Sequence, residues 1–377
     1  MTNDIIIYAL CGIMVVMAVV SPLVNIMFRR VRTRRGNNER RPSFSIIIPA
    51  HDNASELERH LPCFLSQEYD GDFEVIVVES KTGDRTEEVI KHFSSDKRLY
   101  STFIPSTSKY MSRKKLAMTV GAKAAKNEWL IFVDAESYPV GNSWLNAIAS
   151  ELTEDKELAL GYGNYCEEAK DFQRFVQFVN SMYALRKADK GTAYRAASDF
   201  AAVKRDIFMN GKGFDGNLMC VRGEYDFLIN KFADSNNTAV ITSPDGWIKT
   251  DAPTPKTWKN TNLFYMDTKN YLDRSLSYRT AFTFDYALMH IVYIILIVGI
   301  ILGILLNNIL LLAVSTLSFI ICITSRILIA GRTMRMYDEQ IPLWKIVPFE
   351  AALALHSLKY KIKYMLSNKN DFTSHKL

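Results

Sequence analysis

The chain has 377 residues, 48% of them hydrophobic, and a formal net charge of +6. It is long enough for one large or two small domains with a packed core. Its five cysteines, Cys11, Cys63, Cys166, Cys220 and Cys322, are scattered without a close pair, which excludes a metal knuckle and a disulfide framework.

The positive charge is concentrated near the start. Arg29, Arg30, Arg32, Arg34, Arg35, Arg40 and Arg41 crowd one stretch, directly after residues 5–28, an uncharged apolar run. That run is long enough to span a bilayer core of about 30 Å. A secretory signal would place its positive charge first and then a shorter apolar core. Here the charge comes second and no small-residue cleavage site stands out. Residues 5–28 therefore read as an uncleaved transmembrane anchor, and 29–42 as a basic cytoplasmic linker.

From residue 43 to about 285 the pattern alternates between strand and helix. "FSIIIPA" (44–50) and "FEVIVVES" (73–80) are apolar strands, "LYSTFI" (99–104) a third, and "EWLIFVDAE" (128–136) a further one. Between them, "SELERHLPCFLS", "TGDRTEEVIKHF" and "KKLAMTVGAKAAKN" have helical spacing or helix-start residues. Such alternation predicts an α/β domain with a mostly parallel sheet covered on both faces. Trp144 and Trp247 read as core residues, and His60 and His92, without metal-ligand spacing, as surface or loop residues.

Two more apolar runs, 287–306 and 309–329, flank Asn307 and Asn308 and read as a transmembrane hairpin. Arg279 precedes it, and Arg326, Arg332 and Arg335 end it, so both ends fall on the positive side with residues 29–41. The three spans agree on one topology: N-terminus and hairpin tip outside, the domain between them in the cytoplasm. Residues 341–366 follow, apolar but broken by Pro342 and Pro348. From Phe349 they read either as an amphipathic helix in the membrane interface, with Lys359, Lys361 and Lys363 reaching outward, or as a helix packed on the soluble domain.

In a parallel sheet, ligands collect at the carboxyl ends of the strands. Three strand ends here deliver carboxylates: Asp52 beside His51, then Glu79, then Asp134 with Glu136. Three at one edge suggest a site for a cation or a polyhydroxyl ligand. A pair of acids one residue apart suits a hard divalent cation, completed by waters and a ligand's phosphates; the same pair alone also reads as a solvated acidic turn. Neither residues 29–41 nor "MSRKK" (111–115) interleave aromatics as a nucleic-acid face does, so no nucleic-acid partner is expected.

Taken in order, these stretches resemble the inverting glycosyltransferases of family 2, which have the GT-A fold. "FSIIIPAHDNASELERHLPCFLSQEY" resembles the opening strand and helix, and "FEVIVVESKTGDRTEEVI" the second strand. There Glu79 and Ser80 fall where the family usually carries an Asp pair. "RKKLAMTVGAKAAKNEWLIFVDAESYP" resembles the Lys-containing helix and Asp-x-Asp strand end, with Glu136 as the second acid. "GKGFDGNLMCVRGEYDFLINKFA" resembles the acceptor-side acidic stretch. The resemblance covers about residues 44–258.

It implies a nucleotide-diphosphate sugar donor and Mg2+ or Mn2+ held by Asp134 and Glu136. The base and ribose would lie near His51, Asp52 and Glu79, and Lys114 or Lys115 would approach the diphosphate beside Asp134. Arg113 and Lys109 are weaker candidates, and Asp84 reads as a cap or loop brace. The general base would be Asp226 or Glu224; aligned without gaps, Tyr225 falls where the base Asp stands. Trp258 would stack on an acceptor sugar, or serve as a belt residue before the hairpin. The Gln-x-x-Arg-Trp of processive synthases is absent.

The expected protein is thus a multi-pass glycosyltransferase of a bacterial inner membrane, using a lipid-linked or saccharide acceptor in cell-envelope glycan synthesis. A polyprenyl-phosphate sugar synthase and a catalytically inactive membrane scaffold are the alternatives. Residues 185–200 are expected to be a loop carrying specificity.

Overall fold

The computed structural model describes residues 2–80, 85–105, 112–273, 276–368 and 372. The chain divides into two compact units, Met1–Arg30 with Arg274–Lys359, and Val31–Asp273 with Tyr360–Leu377.

The chain opens with α1 (Thr2–Val24), which belongs to the first unit. The second unit then begins with β1 (Phe44–Ala50), α2 (Ala54–Leu65), β2 (Phe73–Ser80), α3 (Thr86–His92), β3 (Leu99–Ile104), α4 (Arg113–Ala124) and β4 (Trp129–Val133). Next come β5 (Ser137–Pro139), α5 (Trp144–Ala149), β6 (Leu158–Gly161), β7 (Gly163–Tyr165), α6 (Asp171–Lys190), β8 (Phe200–Lys204) and α7 (Arg205–Asn210). It continues through α8 (Glu224–Phe232), β9 (Thr238–Ile241), β10 (Ile248–Thr250) and α9 (Pro255–Thr268). Residues 185–190, expected in a loop, are instead the last turns of α6.

Seven strands form the main sheet in the order β3-β2-β1-β4-β8-β6-β9. β1 pairs in parallel with both β2 and β4, and β8 runs antiparallel between β4 and β6. The sheet is mostly parallel, and its central strands are buried on both faces, which is why "WLIFV" of β4 is apolar at every position. Strand order reverses at β1. The crevice outside the carboxyl ends of β1 and β4 is therefore the switch point where such sheets bind ligands. A small sheet, β5-β10-β7, stands beside it.

Trp144 and Trp247 are buried, as is His60, which lies on the inner face of α2 rather than at the surface. The apolar spacing of α2 carries the His60 ring inward with Leu57, Leu61 and Phe64. The arginines of the basic segment are partly paired with this unit: Arg34 with Asp189 at 3.1 Å, Arg35 with Asp245 at 3.1 Å, and Arg40 with Glu128 at 2.8 Å. Singly, such surface pairs contribute little. Together with the Asn38 N–H on the Ser150 carbonyl (3.1 Å) they set the segment's course along the unit.

In the first unit, α10 (Leu276–Leu305) starts earlier than expected, and α11 (Ile309–Met336) ends later. Among the described residues, three helices are long and apolar enough to cross a membrane: Ile5–Val24, Thr283–Leu305 and Ile309–Met336. Asn307 and Asn308 make the tip for two separate reasons. Asn307 takes a left-handed backbone (φ 48°), which Asn tolerates best after Gly, and the Asn308 side chain caps α11 by accepting from the Leu311 N–H. Next to the tip, a Cβ on Gly303 would lie 2.7 Å from the Leu312 backbone, so glycine lets the two helices close. α12 (Ile346–Leu366) ends the fold.

Charge holds this unit together at one level. The Arg326 guanidinium, 1% exposed, donates to Glu350 of α12 at 2.8 Å and to the Ser21 hydroxyl of α1 at 3.1 Å, and lies 3.7 Å from Asp285 of α10. Asn25 adds a 2.7 Å bond to Glu350. An arginine inside so apolar a bundle is tolerated only when paired in this way. Replacing Arg326 with Met strands two buried carboxylates. It should destabilise the detergent-solubilised protein by about 3–5 kcal/mol in thermal unfolding, with part recovered by adding Glu350→Gln.

Candidate active site

Asp134 is the first residue beyond β4, at the sheet's switch point. Its carboxylate accepts from two side chains. Lys114, in the first turn of α4, reaches Oδ1 at 2.6 Å and Oδ2 at 2.7 Å. The Tyr225 hydroxyl, in the first turn of α8, donates to Oδ1. The Lys114 ammonium also lies 4.9 Å from the centre of the Tyr225 ring. Two helix N-termini therefore meet one anionic strand end. Their partial positive charge favours an anion at this point.

Local sequence explains both helix starts. Ser112 caps α4, accepting from the Lys115 N–H at 3.3 Å and donating to the Val221 carbonyl at 2.8 Å. Gly223 precedes α8 with φ 87°, a left-handed conformation that a side chain would strain. That turn aims Glu224 and Tyr225 inward.

The two adjacent lysines have different fates. Burial alone would lower the Lys114 pKa, but the Asp134 and Glu224 carboxylates outweigh it and raise the pKa above its ordinary value. Lys115 is fully buried and donates to the Asn217 carbonyl (2.9 Å), the Asn217 side chain (2.7 Å) and the Cys220 carbonyl (2.6 Å). All three of its protons are engaged in holding the loop before α8, and burial lowers its pKa. Lys231 binds the other end of that loop through the carbonyls of Gly211, Gly213 and Asp215. Of the pair, Lys114 is the one that faces Asp134.

Glu136 follows two residues on. Its side chain keeps an exposed face, but the protein packed around it, then Asp134, raises its pKa, and one oxygen accepts from the Asn53 side chain at 3.1 Å. Asn53 also accepts from the His51 N–H at 3.0 Å, tying the end of β1 to this acid. A third carboxylate, Asp199, was not singled out in the sequence. It precedes the antiparallel β8, whose start lies at the same edge as the end of β4, with Phe200 opposite Val133. Thr250 donates to it at 3.0 Å, and burial, then Asp134, pushes its pKa up to about 6. Only the pairing direction of β8 brings it here, and no local pattern signals that.

Glu224 is 3% exposed, and its Oε1 has no hydrogen-bond partner among the described residues. It lies within electrostatic reach of Lys114, Lys115 and Tyr225. Asp226 points elsewhere, accepting from the Ala196 N–H at 3.1 Å with Arg195 at 3.5 Å; burial raises its pKa. Burial and Asp134 hold the Tyr225 phenol well above its ordinary pKa, so it donates and does not serve as a base near neutrality.

The other candidates are spread along the same edge. His51 and Asp52 are exposed and lie 3.9 Å apart, Asp52 with a left-handed backbone (φ 57°). Glu79, next to last in β2, lies in register with Ala50 of β1. Trp258, on α9, is half-buried with its ring edge-on to Tyr165 at 6.1 Å. Asp84 and Lys109 lie outside the described residues.

Among the described residues no group of three or more His, Cys, Asp or Glu side chains stands as a metal cage. The fit is to a cation that takes one or two carboxylates from protein and the rest from substrate phosphates. Asp134 and Glu136 meet that requirement in residue type and spacing.

Residues 45–211 match the family model described as glycosyl transferase family 2. Among solved structures, the chain is similar to the mannosyltransferase PcManGT from Pyrobaculum calidifontis in complex with GDP-Man and Mn2+. The identity is 15% and the TM-score 0.55, over 97% of this chain and 99% of that one. It is also similar to S. aureus TarS 1–349 in complex with UDP, at 13% identity and TM-score 0.44, over 85% of this chain and 89% of that one. At 15% identity the likeness to the mannosyltransferase is one of fold, the GT-A arrangement. No curated protein matches the chain.

Asp199 gives a pH prediction. Its carboxyl titrates near 6 in the folded protein against an ordinary 3.8, so the folded chain binds more protons between those values. Its contribution is most favourable below about pH 4 and is lost as pH rises through 6. Asp199→Asn should therefore raise the melting temperature of the metal-free protein at pH 7.5. The advantage should vanish toward pH 4.

Proposed function

We propose that this glycosyltransferase moves a sugar, with inversion, from a nucleotide-diphosphate donor to a lipid-linked or saccharide acceptor, at the cytoplasmic face of a bacterial inner membrane, in cell-envelope glycan synthesis. The observation that carries the reading is the Asp134 carboxylate at the switch point, with Lys114 and Tyr225 on it and two helix N-termini around it. The diphosphate binds between those helix starts, with Lys114 as its fixed cation. His51, Asp52 and Glu79 line the edge where base and ribose lie. Asp134 and Glu136 would hold Mg2+ or Mn2+, which when bound neutralises charge on the departing diphosphate.

For a hydroxyl acceptor, Glu224 is the better base. Its buried Oε1 has no hydrogen-bond partner among the described residues, whereas Asp226 is braced by Arg195 and Ala196. A second reading has its own support. The residue at the base position is Tyr225, a phenol whose proton is held on Asp134. A phosphate acceptor on a polyprenyl lipid needs no deprotonation, so the same site would then act without a base.

Membrane attachment rests on the three apolar helices and on α12. α12 buries Glu350, Leu353 and Tyr360 on one face and exposes Leu355, Leu358, Ile362, Met365 and Leu366 on another, with Lys359, Lys361 and Lys363 beside that stripe. Such a helix suits the headgroup interface of a bilayer. Trp258 then offers its ring to an acceptor sugar.

Two variants test the reading in membranes supplied with a panel of labelled nucleotide sugars. Asp134→Ala should abolish metal-dependent protection of the protein by UDP or GDP in thermal shift, and with it transfer; unchanged protection would sink the site. Glu224→Gln should lower kcat by about 10²- to 10⁴-fold with little change in donor KM if the acceptor is a hydroxyl. Retained turnover in that variant would favour the phosphate acceptor.

A further inference from the structure

Asp134 and Glu136 bracket a tight turn whose geometry decides how far apart their carboxylates stand. The Ser137 N–H closes it on the Asp134 carbonyl at 3.0 Å. Strand pairing ends at Val133 and resumes at Ser137, which faces Thr250 of β10. The peptide between Ala135 and Glu136 lies outside both sheets, and Ala135 is 2% exposed. A buried carbonyl in that position needs a donor.

His60 supplies it. Its Nδ1 lies 2.9 Å from the Ala135 carbonyl oxygen, an acceptor only, so Nδ1 carries the hydrogen. The imidazole is itself fixed on every side. Nε2 lies 3.5 Å from Asp251, which Arg59 holds with two bonds of 2.8 and 3.3 Å. The Tyr138 ring packs against it, tilted by 31°, with centroids 4.7 Å apart. Asp251 reaches the same turn a second time, through its N–H on the Glu136 carbonyl at 2.9 Å. The residues on both sides of the Ala135–Glu136 peptide are thus held from α2 and from the end of β10.

We propose that His60 is a positioning residue for the Asp134–Glu136 pair: its Nδ1–H holds the Ala135 carbonyl between the two acids and so sets the bite they offer to a divalent cation and a donor diphosphate. The proposal rests on the reading of those acids as the donor-metal site. Loss of that bond would let the turn relax and change the spacing of the Asp134 and Glu136 side chains. Groups that orient metal ligands in this way commonly carry about 10- to 100-fold in metal affinity or activity.

The test uses the full-length protein in detergent. Mn2+ binding is read by electron paramagnetic resonance in the presence of UDP or GDP, whichever the wild type binds, with donor KM and kcat measured alongside. His60→Leu removes the N–H and should weaken Mn2+-dependent nucleotide binding about 10- to 100-fold. His60→Asn keeps an N–H close to the place of Nδ1 and should recover most of the loss. Should the Leu variant fail to fold, His60→Gln, whose N–H is displaced by one bond, should weaken binding in its place. Wild-type binding in the Leu or Gln variant overturns the proposal, as does equal loss in Asn and Leu, which would mean that the ring acts by packing alone. Asp134→Asn separates the two levels: if it leaves Mn2+ binding intact, the metal-site reading falls and this proposal with it.

Discussion

The contact between Lys114 and the Asp134 carboxylate is the constraint around which the sheet unit is arranged. Asp134 must leave a strand that is buried at every position, so its charge emerges beside a low-dielectric core. A lysine at a helix N-terminus is unfavourable for the helix dipole, and the carboxylate offsets that cost. The pair joins the end of β4 to the start of α4, and Tyr225 brings the start of α8 to the same oxygen. Remove the carboxylate and three elements lose their common point. The same convergence places two positive helix ends beside one carboxylate, which offsets their mutual repulsion.

Around that point the chain uses bound lysines and polar side chains as rigid braces. Lys115 and Lys231 each fill three acceptors along residues 211–220. Asn53 and His60 bind the turn that carries Glu136. None of these side chains has to touch a substrate. They tie the loop and the turn to the elements packed around them. The membrane-type helices rely on the same device at larger scale, one arginine meeting groups from the three other helices of its unit.

Much of this was legible in the order of residues. Apolar runs bounded by breakers marked the strands β1, β2, β3 and β4, and uncharged runs marked the three long helices, because hydrophobic periodicity is local and survives without tertiary information. Asp134, Glu136 and Glu79 stood out because they follow such strands directly. His60 did not, since a histidine's burial depends on which way a helix face turns, and α2 turns it inward. Asp199 escaped because its place at the edge depends on the antiparallel entry of β8. The choice between Lys114 and Lys115 was also invisible, two neighbours in sequence being separated by 100° around a helix.

The sequence by itself determined the α/β class, the family resemblance, the long apolar helices and the acids at the strand ends. These follow from side-chain type repeated at a period, a property of each segment alone. Only the tertiary structure decided which of those acids share a site, which lysine faces them and what holds their turn in place. Those are distances between residues such as Asp134 and Tyr225, or His60 and Ala135, that are far apart in the chain. They exist only once the segments have packed, because burial and pairing select the partners that composition leaves open.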